Sequence, residues 1–379
     1  MKIKKTILIL SNVEEGIYCF RLELLQRLLQ LDYHVVLCSP AGAYTAEFET
    51  MGVQRILVKL DRHGMNPIKD SILFLNYMKI IASIRPDWVL TYTIKPNLYG
   101  GMAARLLRVP YLCNLTGAGT LFQHDGIIAK IVSRLLRFAV KKADVLFFQN
   151  SENMRLFESK KISGQRNILL PGSGVCLERH PLEEYPAENG KVKFFLIGRL
   201  CESKGVREYL EAAERLHEKF PSAEWHLVGP TEEEKIAELI GELEKLHIAV
   251  SHGPVLSSRI HEIFTEASCV VLPSYHEGMS NVLLEGAASG RPCIASDIPG
   301  CREIVEEGVT GFLCKVKDSA SLQQAMERFL QLPREVRREM GIAGRKKVER
   351  EFSIAFSWFS QVSPHDPWDL LFQISGSCL

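Results

Sequence analysis

Short apolar runs alternate with helix-spaced segments from one end of this chain to the other, and that alternation leaves few folds open. In the first half the runs are TILILS (6–11), HVVLCS (34–39), RILVKL (55–60), WVLTYT (88–93), PYLCNL (110–115) and DVLFFQ (144–149). Each is brief, apolar and rich in β-branched or aromatic residues, as a strand covered on both faces must be. Between them, CFRLELLQRLLQL (19–31) and ILFLNYMKIIASI (72–84) repeat apolar residues at helical spacing. Strand, helix and strand in succession build right-handed crossover units, hence a parallel sheet with helices on both faces.

The pattern stops and starts again. After ILLPGSGV (168–175), residues 176–190 are polar, carry prolines and show no apolar period, which reads as a linker. Strand runs resume at VKFFLIG (192–198), EWHLVG (224–229), CVVLPS (269–274), PCIASD (292–297) and GFLCKV (311–316), with helices expected near 206–219, 232–246, 280–289 and 319–331. A chain of 379 residues is also too long for one ordinary core. The expected fold class is therefore α/β, with two doubly wound Rossmann-like domains, 1–175 and 191–352, and a ligand cleft between them. Residues 353–379 form an atypical tail in which Pro364 and Pro367 interrupt any helix.

Composition removes other classes. A formal net charge of +1 lacks the basic excess of a dedicated nucleic-acid binder. The ten cysteines are scattered singly with no C-x-x-C pair, so neither a zinc site nor a disulfide framework is expected, and a reducing cytoplasm is. Cys38, Cys113, Cys269 and Cys293 fall inside apolar runs, where Cys acts as a small hydrophobe. The start, MKIKKTILIL, is too short in apolar residues for a signal peptide, and no run reaches the roughly 18 needed to span a bilayer. GIIAKIVSRLLRFAVKK (126–142) sets Ile, Val, Leu and Phe against Lys130, Arg134, Arg137, Lys141 and Lys142. It reads either as a domain helix packing on its sheet or as one that rests on an anionic membrane.

Two glutamates, Glu277 and Glu285, flank the step from CVVLPS into a helix that Ser280 or Asn281 can cap. The first carboxylate lies at the carboxyl end of a strand, where open α/β sheets bind ligands, and the second about one turn into the helix. Helix-start amides between them suit a phosphate. GRLCESKG (198–205) likewise follows a strand and precedes a helix. Gly198 permits close backbone approach, and Arg199 and Lys204 set two cations where a diphosphate would lie. Solvated surface charge is the ordinary fate of any one of these residues; together they describe an anion site. A glycosidase carboxylate pair gives no role to the cations. The loop SNVEEGIYCF (11–20), with a single glycine, lacks a dinucleotide fingerprint.

These motifs resemble a known family. GRLCESKG, the VGP turn (228–230), SYHEGMSNVLLEGAASGRPCIASDIPGCREIVEEGVTGFL (274–313) and PGSGV (171–175) are similar to the retaining family 4 glycosyltransferases, which have the two-domain GT-B architecture and use nucleotide-diphosphate sugars. The resemblance covers about residues 1–352. TYTIKPNLYGGMAARLLRVPYLCNLTGAGTLF (91–122) resembles the subgroup that builds capsule, O-antigen and lipid-linked oligosaccharides, often from UDP-N-acetylhexosamines.

The resemblance implies that Arg199 and Lys204 hold the donor diphosphate, that Glu277 stands by the donor sugar, and that Glu285 accepts bonds from the ribose hydroxyls. Gly198 and residues Gly278, Met279, Ser280 and Asn281 complete the donor site, their amides meeting phosphate or sugar. It places Gly16, Arg21, Lys95, Thr116 and Gly117 toward a polyprenyl-diphosphate-linked acceptor, presented at the inner face of the cell membrane. Many relatives carry a histidine near Thr116, so no catalytic histidine is assigned; His63, His124, His252 and His276 read as structural or surface residues. Where relatives usually have Asp or Asn, Cys176 follows PGSGV. No metal motif is placed, and Arg and Lys can replace a metal's charge, so no cofactor is expected. A UDP-sugar epimerase of the same architecture, or a nucleotide-sugar-binding protein without catalysis, remains as the alternative.

Overall fold

The computed structural model describes residues 4–61, 66–116, 127–187, 191–256 and 259–354. They form two compact units that divide between Ser173 and Gly174. The first holds seven parallel strands: β1 (Thr6–Leu10), β2 (His34–Ser39), β3 (Gln54–Leu57), β4 (Trp88–Tyr92), β5 (Tyr111–Leu115), β6 (Val145–Phe148) and β7 (Arg166–Leu169). Their spatial order is β3-β2-β1-β4-β5-β6-β7. The second holds β8 (Val192–Ile197), β9 (Ala223–Val228), β10 (Ala249–Ser251), β11 (Cys269–Leu272), β12 (Cys293–Ser296) and β13 (Gly311–Cys314), in the order β10-β9-β8-β11-β12-β13. Each sheet is wound outward in one direction and then restarts on the other side of its first strand, between β1 and β4 and between β8 and β11. Those reversals are the switch points beside which such sheets bind ligands.

The continuous apolar runs have the burial that this topology demands. In each unit one hydrophobic cluster lies on each sheet face. In the second unit Phe194, Trp225, Leu227 and Phe329 pack on one side, and Phe195, Val270, Leu284 and Phe352 on the other. Cys38, Cys113, Cys269 and Cys293 are buried within these layers, as small hydrophobes. Two strands were not legible as apolar runs. β7 is an only partly buried edge strand with the mixed sequence RNIL, and β10 has three residues.

The expected linker is not slack chain. Through its described part, 176–187, it is laid along the second unit as a strap. Tyr185 is buried and its hydroxyl donates to Ser268 O at 3.0 Å. Arg334 donates to Pro186 O and Tyr185 O, both at 3.0 Å, and the fully buried Arg291 donates to Glu184 O at 2.7 Å. Arg345 ties His180 O to Ala288 O. Val175 also bridges to Ser353 near the end of the described chain, and the tail containing Pro364 and Pro367 lies outside the described residues. Among the described residues no helix is long and apolar enough to cross a membrane.

Phe329 is fully buried, edge-on to Phe194 at 5.7 Å, in the second unit's core alone. Phe329→Ala is expected to cost about 3–5 kcal/mol in that unit. In urea unfolding followed by hydrogen exchange, protection should fall in residues 192–352 and hold in 6–169.

Candidate functional site

The second unit's switch point collects the residues singled out from sequence. The loop after β8 carries Gly198, Arg199 and Lys204; the loop after β11 carries Glu277. The two loops are joined by Tyr275 N–H donating to Ser203 O at 3.0 Å. Lys204 Nζ lies 2.5 Å from Glu277 Oε1, and Ser274 Oγ donates to the same oxygen at 2.8 Å. Both partners are largely shielded, with side chains 21% and 12% exposed, so this pair keeps more of its attraction than a surface pair would.

Glycines make that approach feasible. Gly205 has φ 73°, and a Cβ there would fall 2.1 Å from Pro273 O. Lys204 can therefore sit directly over the end of β11 only because the next residue has no side chain. Gly300, at φ 83°, backs the glutamate loop from below: a Cβ would meet Gly278 O at 2.6 Å, and Gly300 O accepts from Ser280 N–H at 2.9 Å.

The helix Asn281–Ala288 begins as expected, with Ser280 rather than Asn281 as the cap and its Oγ accepting from Leu283 N–H. This corrects the phosphate seat: the Ser280 amide is spent on Gly300 O and cannot meet a donor. Met279 is buried in the apolar layer, where its side chain anchors the loop, while the buried Asn281 Oδ1 has no hydrogen-bond partner.

Arg199 does not stand beside Lys204 as a second bare cation. It pairs with Glu232 after β9 at 2.7 Å, both about one-third exposed. Its charge nevertheless reaches His276, which is half-buried next to Glu277. Burial holds the His276 imidazole below its ordinary value; Glu277 pulls the other way, and the cations of Lys204, Arg199 and Lys317 add to the burial. Glu285, on the first turns of the helix, makes no hydrogen bond or ion pair among the described residues. Desolvation pushes its carboxyl up to about 7, opposed by Arg179. A carboxyl held without hydrogen-bond partners has its full bonding capacity left for a ligand's hydroxyls. Ser274, Glu232, Gly205 and Gly300 were missed from sequence; a serine closing a buried strand and glycines at loop-to-strand contacts were the available signals.

In the first unit the assignments fare differently. The helix Glu14–Gln30 starts earlier than expected, so Gly16 lies in its first turn instead of a loop. Arg21 is 5% exposed and stacks over Tyr92 at 5.2 Å, a buried cation rather than a surface one. Lys95 is tied to Asp70 at 2.7 Å, both side chains mostly buried, and belongs to a helical segment that continues through Pro96–Gly100 into Gly101–Leu107. The KPN stretch is thus a helix start, fastened by Asn97 between Thr91 and Asn114. Thr116 follows β5 directly and is half-buried; Gly117, His63 and His124 lie outside the described residues. His252 contacts His226 at 3.0 Å beside Phe195, a packing role.

Residues 182–347 match the family described as glycosyl transferases group 1, and residues 6–150 match glycosyl transferase 4-like. The chain is 25% identical over 342 residues to the N,N'-diacetylbacillosaminyl-diphospho-undecaprenol alpha-1,3-N-acetylgalactosaminyltransferase of Campylobacter jejuni, covering 85% of this chain and 88% of that one. It is 26% identical over 321 residues to the UDP-Gal:alpha-D-GlcNAc-diphosphoundecaprenol alpha-1,3-galactosyltransferase of Escherichia coli, covering 79% and 80%. The crystal structure of Anabaena Alr3699/HepE in complex with UDP and glucose superimposes with a TM-score of 0.73 at 15% identity, covering 92% of this chain and 95% of that one.

The Glu285 carboxyl gives a signed expectation. Because its folded value is raised, the folded chain keeps a proton that the unfolded chain releases between the ordinary carboxyl range and about 7. Its contribution to stability therefore falls as pH rises across that window. Glu285→Gln should flatten this slope and raise Tm more at pH 8 than at pH 5, read by calorimetry.

Proposed function

The chain belongs to the group 1 glycosyltransferases, and from its site we propose that it moves a hexosamine-type sugar or a hexose from a UDP-sugar, with retention, onto a hydroxyl of a polyprenyl-diphosphate-linked glycan. The observation that carries the donor half is the Lys204–Glu277–Ser274 cluster at the switch point, with the unpartnered Glu285 carboxylate one helix turn further on. The acceptor half is supported by the undecaprenol-linked substrates in the names of the two curated relatives.

The charges suggest how the site works. Without donor, Lys204 and Glu277 neutralise each other. A diphosphate offers Lys204 a stronger anionic partner, and Glu277 then exchanges its ammonium for sugar hydroxyls, which it accepts readily. As the bond from the anomeric carbon to the diphosphate oxygen breaks, its electron pair leaves with the diphosphate, the acceptor oxygen bonds that carbon and yields its proton to the released diphosphate, and Lys204 meets the growing charge. An interaction that strengthens along the reaction lowers the barrier rather than merely tightening binding. Glu277 lies where positive charge develops on the sugar. Glu285 holds the ribose. Lys204 thus supplies charge that a metal would otherwise bring, so donor use is proposed to need no divalent ion.

A membrane-facing surface accords with such an acceptor. The helix Ile127–Val140 buries Leu136, Ala139 and Val140 in the first unit and leaves Ile131, Leu135 and Phe138 exposed. Exposed Lys130, Arg134, Lys141 and Lys142 border that stripe. One apolar face of the helix packs in the first unit, and the second, open among cations, supports the reading of a helix that rests on an anionic membrane.

Glu277→Gln is expected to depress turnover more than donor affinity, and Lys204→Ala to harm both. The assay is acceptor-dependent UDP release with radiolabelled UDP-sugars, and wild-type activity should survive chelation by EDTA. Wild-type turnover by both variants at saturating donor would overturn the site, and acceptor-free sugar interconversion would favour the epimerase. Separately, co-sedimentation with vesicles containing phosphatidylglycerol should weaken in Lys130→Glu/Arg134→Glu/Lys141→Glu by about 1 kcal/mol or more per cation.

A further inference from the structure

The first unit carries an aromatic stack at the margin of its core. Tyr18, in the first turns of the helix Glu14–Gln30, and Tyr44, before the helix Thr45–Thr50, stack face to face with centroids 3.9 Å apart and planes 10° apart. Tyr18 also meets the fully buried Phe48 edge-on at 5.7 Å. Both tyrosines remain partly exposed, so the stack projects from the core toward solvent. It lies where the chain leaves β1 and β2, at the carboxyl edge of the sheet and next to the strand that borders the switch point.

This projection is held by an expensive device. Glu14, 1% exposed, accepts from Tyr44 N–H at 2.7 Å and Thr45 Oγ1 at 2.7 Å, and pairs with the buried Arg55. Arg55 in turn bonds Ser39 Oγ at 3.0 Å and lies over Phe48. Burying an ion pair costs desolvation that hydrophobic residues would avoid, so it is poor evidence for stability and better evidence for a fixed position. What it fixes is the backbone of Tyr44. Gly42 closes the loop against the helix start, since a Cβ there would come within 2.7 Å of Glu15 Oε1. Glu15 itself, half-buried, makes no hydrogen bond or ion pair among the described residues.

A fixed, amphipathic aromatic pair, with the Glu15 carboxylate against Gly42 two residues before Tyr44, supplies the two kinds of group that recognise a pyranose: aromatic surface for the C–H bonds of the ring, and an acceptor for its hydroxyls. We propose that Tyr18, Tyr44 and Glu15 form a subsite for a sugar ring of the acceptor glycan. The subsite rests on the glycosyltransferase reading above and adds to it a place where acceptor length is sensed.

The test uses the full chain with two probes, a short-chain prenyl-diphosphate N-acetylglucosamine and the same lipid bearing a disaccharide. Tyr44→Ala should raise KM about tenfold for whichever probe the wild type prefers, with donor KM within twofold, and Tyr44→Trp should restore it. Glu15→Gln should raise the same KM with no change in Tm. A loss of Tm with donor and acceptor constants moving together, or no change in acceptor KM, would reduce the stack to core packing. If the wild type turns over neither probe, the lipid-linked reading is what has failed. Saturation-transfer NMR with the free disaccharide then decides the subsite alone: sugar-proton signals lost in Tyr44→Ala support it, and equal signals overturn it.

Discussion

The absence of a β-carbon at position 205 is the constraint on which the second unit's site depends. Parallel strands deliver their carboxyl ends side by side, but loops leaving those ends ordinarily hold one another apart by the width of a side chain. Gly205 against Pro273, Gly229 against Gly198 and Gly300 against Gly278 each remove that width, with hypothetical Cβ contacts of 2.1, 1.7 and 2.6 Å. The outcome is a lysine from one loop within hydrogen-bonding distance of a glutamate from another. Positive φ at all three glycines means that alanine would be strained there even if the space existed.

Electrostatically the site is a set of neutralised parts rather than a bare cationic trap. Lys204 is matched by Glu277 and Arg199 by Glu232, while Glu285 is left carrying the cost of its own burial. Such a site gains little from binding an arbitrary anion, because each cation must first give up a carboxylate. It gains more from a ligand that brings an anion and hydroxyls together, since the displaced Glu277 and the unsatisfied Glu285 are then both supplied with donors. The proposed donor role would draw its preference for a nucleotide sugar over inorganic phosphate from that exchange.

Most of the fold was legible because the strands are buried on both faces and so read as unbroken apolar words; β7 and β10 were not, one being a half-exposed edge and the other only three residues long. That Gly198, Arg199, Lys204 and Glu277 lie at strand ends was legible because the loops that carry them follow apolar runs directly. Their partners were not. Nothing local announces that Glu232 will meet Arg199 across 33 residues, or that Lys95 will turn inward to Asp70. The 176–187 strap was misread for a related reason: its backbone is held by arginines as distant in sequence as Arg334 and Arg345. Nothing in SNVEEG singles out Glu14, and its burial follows from contacts with Tyr44, Thr45 and Arg55 that lie 30 or more residues away.

The strand order also dictates a schedule. β1 cannot gain its second neighbour until β4 exists, since Ile7 pairs with Trp88, and every pairing in the sheet must wait for a crossover to close. Such long-range pairing is slow relative to local helix formation. The first sheet is nevertheless complete at Leu169, before the first strand of the second begins at Val192. A ribosome making this chain therefore releases one finished sheet while the other is still unmade. The long-lived, edge-exposed intermediates are then confined to one half of the chain at a time.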